Sequence, residues 1–244
     1  MTHLYKLYKA LKSICPSSIK VGIYNCILAT KNCFLYLKLL ALYRKYSRYT
    51  MIPKHLFLEN LNIIERFREI DGAVVECGVW RGGMIAAIAE RLGGRRSYYL
   101  FDSFEGLPEV KEIDGDNAKV WQENKNSPFY FDNCKAEELY ATKAMSMAGA
   151  TDYQIIKGWF SETLPLFDKS VKIFILRLDG DWYESTIQCL EGLYAQVVPG
   201  GLIIIDDYLV WDGCSKAVHE FLSKNKSAEK IFTSKMGVCY IIKK

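Results

Sequence analysis

The sequence predicts an α/β fold, a mostly parallel seven-stranded sheet flanked by helices with an added helical arm at the N-terminus. Three observations predict it. From residue 73 onward short apolar runs alternate with helix-like segments, as in a sheet whose strands are joined by crossover helices. Those runs are predominantly apolar, which marks central parallel strands covered on both faces. The first 58 residues, in contrast, carry ten Lys or Arg and no Asp or Glu. They separate as an arm (1–58) from a larger domain (59–244).

Taken in order, AVVEC (73–77) is the first strand, and a helix follows from about Met84 to Leu92. SYYLF (97–101), YQIIK (153–157), VKIFILRL (171–178) and LIIID (202–206) are the next four strands. A helix over 184–196 is ended by Pro199-Gly200-Gly201, which cannot continue it. A last helix covers roughly 214–225, and EKIFTS and MGVCYIIKK form a C-terminal pair of strands. In the arm, helical spacing is present over 3–15 and 33–46.

Composition bounds the function. Half of the 244 residues are apolar and a quarter are charged, a chain that folds without disulfides or structural zinc. Eight cysteines form no CxxC pair, so they read as buried thiols in a reducing compartment. The chain holds 32 basic and 28 acidic side chains, which leaves 22 against 28 beyond the arm. An acidic large domain argues against nucleic acid as a partner. The most apolar stretch, residues 33–43, contains Lys38 and is too short to span a bilayer. The N-terminus lacks the apolar core of a signal peptide, so a cytoplasmic location is expected.

Ligands of open α/β sheets bind beyond the carboxyl ends of the strands. Here the five loops at those ends are polar: GVWRGG, DSFEG, GWFSET, DGDWYES and DDY. The turn Glu76–Gly83 is glycine-rich, which lets backbone N–H groups approach a ligand at a helix N-terminus. Trp80 stands where a second glycine would serve a dinucleotide, and Glu76 suits a ligand bearing an ammonium group. Asp102, with Ser103 beside it, can accept ribose hydroxyls. Trp159 and Phe160, next to Gly158, suit a flat adenine. Asp179 and Asp181 end the fourth strand and Asp206 and Asp207 the fifth. Adjacent strands lie about 4.8 Å apart, so these carboxylates repel unless a cation neutralises them. An oxygen-only set favours Mg2+, while capping of helices or pairing with Arg177 is the structural alternative. His3, His55 and His219 belong to no cluster.

In this order ECGVWRGG, FDSFEG, KGWFSETLP, LDGDWYEST and PGGLIIIDDY resemble the macrocin O-methyltransferase (TylF-like) family, from about Tyr46 to Phe221. RYTMIP (48–53) is similar to that family's entry segment. The resemblance implies a Rossmann-like class I methyltransferase that uses S-adenosylmethionine and Mg2+ to methylate a sugar hydroxyl. The acceptor it implies is a sugar-containing small molecule or a lipid-linked saccharide. By that resemblance Thr50, Met51, Glu76, Gly78, Val79, Trp80, Arg81 and Gly82 hold the cofactor. So do Asp102, Ser103, Gly106, Gly158, Trp159, Phe160 and Asp179. Asp179, Asp206 and Asp207 bind the metal, and the base is Asp181 or Asp179.

Two other classes compete. A nucleotide- or NAD-dependent sugar oxidoreductase is disfavoured by the missing GxGxxG and Tyr-xxx-Lys, and a non-catalytic membrane-associated scaffold by the intact acid set. The arm is expected to be helical and to contact either a second subunit, in a homo-oligomer, or an anionic membrane surface. Acceptor contacts are expected from 105–133.

Overall fold

The computed structural model describes residues 33–93 and 96–244. The chain divides into two compact units, residues 1–42 and 43–244. Residues 33–46 are helical (α1), as the spacing predicts, whereas the helix expected over 3–15 lies outside the described residues. No helix among the described residues is long and apolar enough to cross a membrane.

The larger unit carries helices α2 (Lys54–Glu65), α3 (Gly83–Leu92), α4 (Asp116–Glu123), α5 (Glu138–Met147), α6 (Tyr183–Leu193) and α7 (Asp212–Lys224). Its strands are β1 (Ala73–Cys77), β2 (Tyr98–Asp102), β3 (Tyr153–Lys157), β4 (Ile173–Leu178), β5 (Val197–Ile205), β6 (Ile231–Thr233) and β7 (Cys239–Ile242). They form one sheet in the order β3-β2-β1-β4-β5-β7-β6. β1 to β5 run parallel, and β7 is antiparallel to both β5 and β6. The order reverses between β1 and β4, so the crevice at their carboxyl ends is the topological switch point where such sheets bind ligands.

Strand periodicity decides which side chains meet there. Val75 and Cys77, Leu176 and Leu178, and Ile203 and Ile205 share one face, in register on neighbouring strands. They pack on Leu190 and Leu193 of α6 and Val218 and Phe221 of α7. The alternate positions hold Glu76 opposite Arg177. Asp179 lies two residues beyond Arg177 on that same face, and Asp206 is its neighbour across the next strand, its N–H donating to the Leu178 carbonyl. A buried arginine therefore has three acids around it as a consequence of register.

One element differs from the sequence reading. Helix α6 ends at Leu193, a short 3-10 turn covers Tyr194–Gln196, and β5 already begins at Val197. Pro199-Gly200-Gly201 lies within the strand, at a break in register where Ile173 pairs with Val197 and Ile175 with Leu202. Gly200 has φ +80°, and its N–H donates to the Lys243 carbonyl of the C-terminal tail. A bulge absorbs the residues that would otherwise break the ladder.

Candidate active site

The glycine-rich turn after β1 is held by its own backbone. Asp102 Oδ2 accepts the N–H groups of Val79 and Trp80, both at 2.8 Å, and Oδ1 accepts that of Phe104 at 2.6 Å. Gly78 donates to the Phe101 carbonyl, Gly82 to that of Val79, and Gly83 to that of Tyr49. The turn was expected to offer these N–H groups to a ligand, and the structure commits them to the fold. Glycine is needed for close approach: a Cβ on Gly78 would lie 1.8 Å from the Asp179 carbonyl oxygen, and one on Gly83 would lie 2.5 Å from that of Tyr49.

Above the turn lies a cleft of about 590 Å³, a size suited to a small-molecule ligand. Met51, Gly78 and Trp80 line it together with Asp102, Ser103 and Gly106. Gly158, Trp159, Phe160, Asp179 and Asp181 complete the part of the lining that sequence reasoning named. A second cleft, lined by Thr50, Glu76, Val79, Asp206 and Asp207, adjoins the first. Met51, Gly78, Trp80, Cys134, Asp179 and Asp181 line both, so the two clefts meet along one edge. Arg81 and Gly82 line neither. The Arg81 guanidinium stacks between the rings of Trp80 and Tyr140, 4.3 and 4.7 Å from their centroids.

Sequence reasoning did not name several residues that line these clefts. Leu107, Pro108 and Cys134 line the first, and Val210 and Trp211 line the second. Trp121, Phe129 and Phe131 also line the second and lie within the 105–133 segment. Cys134 reaches the shared edge through a run of left-handed residues, Asp132, Asn133 and Cys134, with φ of +47°, +51° and +61°. The Asn133 carbonyl and side-chain amide clamp Leu107 to hold that run. Asp132 and Asn133 are residue types that visit this region as single residues, but nothing in the sequence signals three in succession ending on a cysteine.

The acids divide into two groups. Arg177, fully buried, donates through Nη1 to Glu76 Oε1 and Asp179 Oδ2, both at 2.7 Å, and Nη2 lies 2.5 Å from Asp206 Oδ1. The pairing with Arg177 anticipated as an alternative thus accounts for Asp206 and half of Asp179. Asp179, Asp181 and Asp207 can each place one carboxylate oxygen within 4.8 Å of the others. Burial pushes Glu76 up to about 8 against the pull of Arg177. It also pushes Asp179 to about 6 and Asp181 to about 7, with the neighbouring acids adding to both shifts. Asp207 is raised well above the usual carboxylate range by burial and by Asp181. One guanidinium does not neutralise this set.

The donor chemistry fits the two groups that the resemblance implies. Three carboxylates with no His or Cys ligand among them match a hard divalent ion such as Mg2+. The site of an ammonium-bearing cofactor is matched by Glu76 Oε2, which is buried without a hydrogen-bond partner and lines the second cleft beside Gly78. His219, outside both clefts, hydrogen-bonds through Nε2 to the Tyr208 hydroxyl at 2.9 Å.

Sheet order, switch-point cleft and glycine-rich turn together define a class I methyltransferase fold. The chain belongs to the macrocin-O-methyltransferase (TylF) family, whose model matches residues 44–241. It is 38% identical over 159 residues to 8-demethyl-8-(2,3-dimethoxy-alpha-L-rhamnosyl)-tetracenomycin-C 4'-O-methyltransferase of Streptomyces olivaceus, covering 62% of this chain and 58% of that protein. It is 34% identical over 172 residues to demethyldecarbamoylnovobiocin O-methyltransferase of Streptomyces niveus, covering 67% and 63%. The match thus spans about three-fifths of the length of these relatives. Among solved structures, the O-methyltransferase NovP superposes with a TM-score of 0.65 at 29% identity, over 80% of this chain and 82% of that one.

Proposed function

We propose that the protein is an S-adenosylmethionine- and Mg2+-dependent O-methyltransferase acting on a sugar hydroxyl. The observation that carries this reading is the shared edge between the two clefts, where Gly78, Asp179 and Asp181 line both. When bound, the cofactor supplies an electrophilic methyl group and the ion supplies positive charge that makes a hydroxyl easier to deprotonate.

The chain's own residues do the rest. Trp159 and Phe160 form an apolar wall for the adenine, and Asp102 with Ser103 forms the polar edge for the ribose. Glu76 Oε2 offers a carboxylate oxygen to the methionine ammonium. Asp179 and Asp207 supply oxygen ligands, with Asp206 adjacent on the Arg177 side. Asp181, which lacks an arginine partner among the described residues, takes the acceptor proton as general base. Holding acceptor and methyl group on two sides of one edge removes the entropic cost of bringing them together, an effect worth about 7–11 kcal/mol.

The second cleft also narrows the acceptor. Among the described residues its lining has no Lys, Arg or His, and joins five acids to Trp121, Phe129, Phe131, Val210 and Trp211. A nucleoside diphosphate sugar would bring unpaired negative charge to it. A neutral glycoside fits, its sugar at the acids and its apolar portion on the aromatic wall. Both a secondary-metabolite glycoside and a lipid-linked saccharide meet this description. The relatives named for a rhamnosyl tetracenomycin and for demethyldecarbamoylnovobiocin favour the first. The N-terminal arm contributes contact with a second subunit or an anionic membrane and no catalytic group.

The test is formation of S-adenosylhomocysteine with neutral aryl glycosides and with dTDP-sugars, each with Mg2+ and with excess EDTA. Turnover of glycosides only, and only with the metal, is expected. Equal turnover in EDTA would remove the metal from the reading.

A further inference from the structure

Asp181 stands apart from the other acids of the site in what holds it. Glu76, Asp179 and Asp206 are each paired with Arg177. The Asp181 carboxylate instead accepts one N–H, from the Trp211 indole, whose Nε1 lies 2.8 Å from Oδ1. The Asp181 backbone has φ +57°, in the left-handed region that aspartate visits more readily than most non-glycine residues. Its backbone N–H donates to Asp207 Oδ2 at 3.0 Å, and the Trp211 backbone N–H donates to the Asp207 carbonyl at 3.0 Å. Asp181, Asp207 and Trp211 thus close a ring of three hydrogen bonds linking the end of β4 to the start of α7.

The Trp211 ring is fixed from behind. Trp182, 1% exposed, meets it edge-on at 5.2 Å, and Trp121 meets it edge-on at 6.2 Å. Trp182 is itself anchored by its own N–H to the Pro108 carbonyl. Such a braced indole has little freedom to turn, so its N–H marks one fixed point in the cleft.

We infer that Trp211 is a positioning residue: its indole N–H holds Asp181 Oδ1, leaving Oδ2 as the oxygen that meets the acceptor hydroxyl. This rests on Asp181 being the base. With Oδ1 tied, the carboxylate cannot rotate and present its oxygens at random. Nor can it swing fully into the Asp179–Asp207 group, where a cation would draw it.

The bond is read first without an acceptor. Of the five tryptophans, Trp211 gives the indole 1H–15N resonance that disappears in Trp211→Phe. That resonance should shift in Asp181→Asn while those of Trp80 and Trp159 stay in place. Kinetics follow, with p-nitrophenyl hexosides as acceptors. Trp211→Phe keeps a ring but removes the donor, and should lower kcat by about tenfold to a hundredfold. The fall in kcat should exceed any rise in acceptor KM, since the ring that lines the acceptor cleft is kept, and affinity for S-adenosylhomocysteine should stay within about twofold. Trp211→His places Nε2 at the same point of a five-membered ring and should restore most of kcat. In an Asp181→Asn background, Trp211→Phe should add no further loss, as for residues acting through one another. An unmoved Trp211 resonance in Asp181→Asn, or native kcat in Trp211→Phe, overturns the proposal. So does a Trp211→His protein as slow as Trp211→Phe. Native kcat in Asp181→Asn instead overturns the assignment of the base, and the positioning role with it.

Discussion

Arg177 and Glu76 lie 101 positions apart in the chain, yet the arginine Nη1 is 2.7 Å from Glu76 Oε1 and both side chains are buried. They meet because β1 and β4 are neighbours in register. The pair is what allows an acid-rich crevice to exist before any cation arrives. Removing one partner of a buried pair leaves an unpaired charge, at a cost of about 3–5 kcal/mol. Arg177→Met, which strands three carboxylates, should therefore lose stability of that order in urea unfolding. Glu76→Gln, which keeps an acceptor for the guanidinium, should lose less. Equal stability of Arg177→Met and the native protein would refute this account.

Asp102 offers a second test, because its carboxylate fixes the turn after β1. With both oxygens taken by backbone N–H groups of Val79, Trp80 and Phe104, Asp102→Ala leaves three donors unsatisfied. The turn should loosen, and affinity for S-adenosylhomocysteine should fall by about 1–3 kcal/mol by calorimetry. Asp102→Asn, which can accept on one oxygen only, should fall between the two.

The two adjacent aspartates after β5 should behave differently. Asp206 is engaged by Arg177, whereas Asp207 belongs to the group whose oxygens approach within 4.8 Å. Asp207→Asn should raise the Mg2+ concentration for half-maximal activity more than Asp206→Asn does. Should Asp206→Asn prove the more damaging, Asp206 must turn from Arg177 to the metal on binding.

The sheet could be read from the sequence because AVVEC, VKIFILRL and LIIID are rich in Val, Ile and Leu and the same reading placed acids at or just beyond their ends. What could not be read depends on register and on single contacts. Arg177 sits inside an apolar run, and nothing local says that Glu76 will face it. The Trp211 N–H meets Asp181 across 30 residues, and the left-handed turn at Asp132–Cys134 has no sequence marker. The Pro199-Gly200-Gly201 stretch was misplaced for a physical reason: proline and glycine end helices and also form bulges, and only the pairing with β4 and the Lys243 carbonyl distinguishes the two.

The arm can be separated from the chemistry at a defined point. Tyr43 packs edge-on against Phe57 at 5.4 Å, and Tyr46 donates through its hydroxyl to Glu90. Leu39 and Leu42 of α1 are buried as well, so a truncation should stop before α1. Deleting residues 1–32 should leave methyl transfer to a free glycoside unchanged, and should alter either the oligomeric state in light scattering or co-sedimentation with anionic vesicles. Retention of both properties would remove the arm from assembly and from membrane contact alike.

The last prediction concerns pH and the metal together. Glu76, Asp179 and Asp181 titrate in the folded chain near 8, 6 and 7, above their ordinary values of 4.5, 3.8 and 3.8. Between those limits the folded state binds more protons than the unfolded state, so stability falls as pH rises. Without metal, the contribution from these groups is fully present below about pH 4 and is lost as pH climbs through 6 to 8. A divalent ion held by Asp179 and Asp207, close to Asp181, favours the ionised forms of all three and reverses the trend. Melting temperature in EDTA should thus decline from pH 5 to pH 8, while the increment from Mg2+ should grow over the same range. A Mg2+ increment that is flat with pH would show that the ion displaces no protons, and that Asp179 and Asp207 are not its ligands.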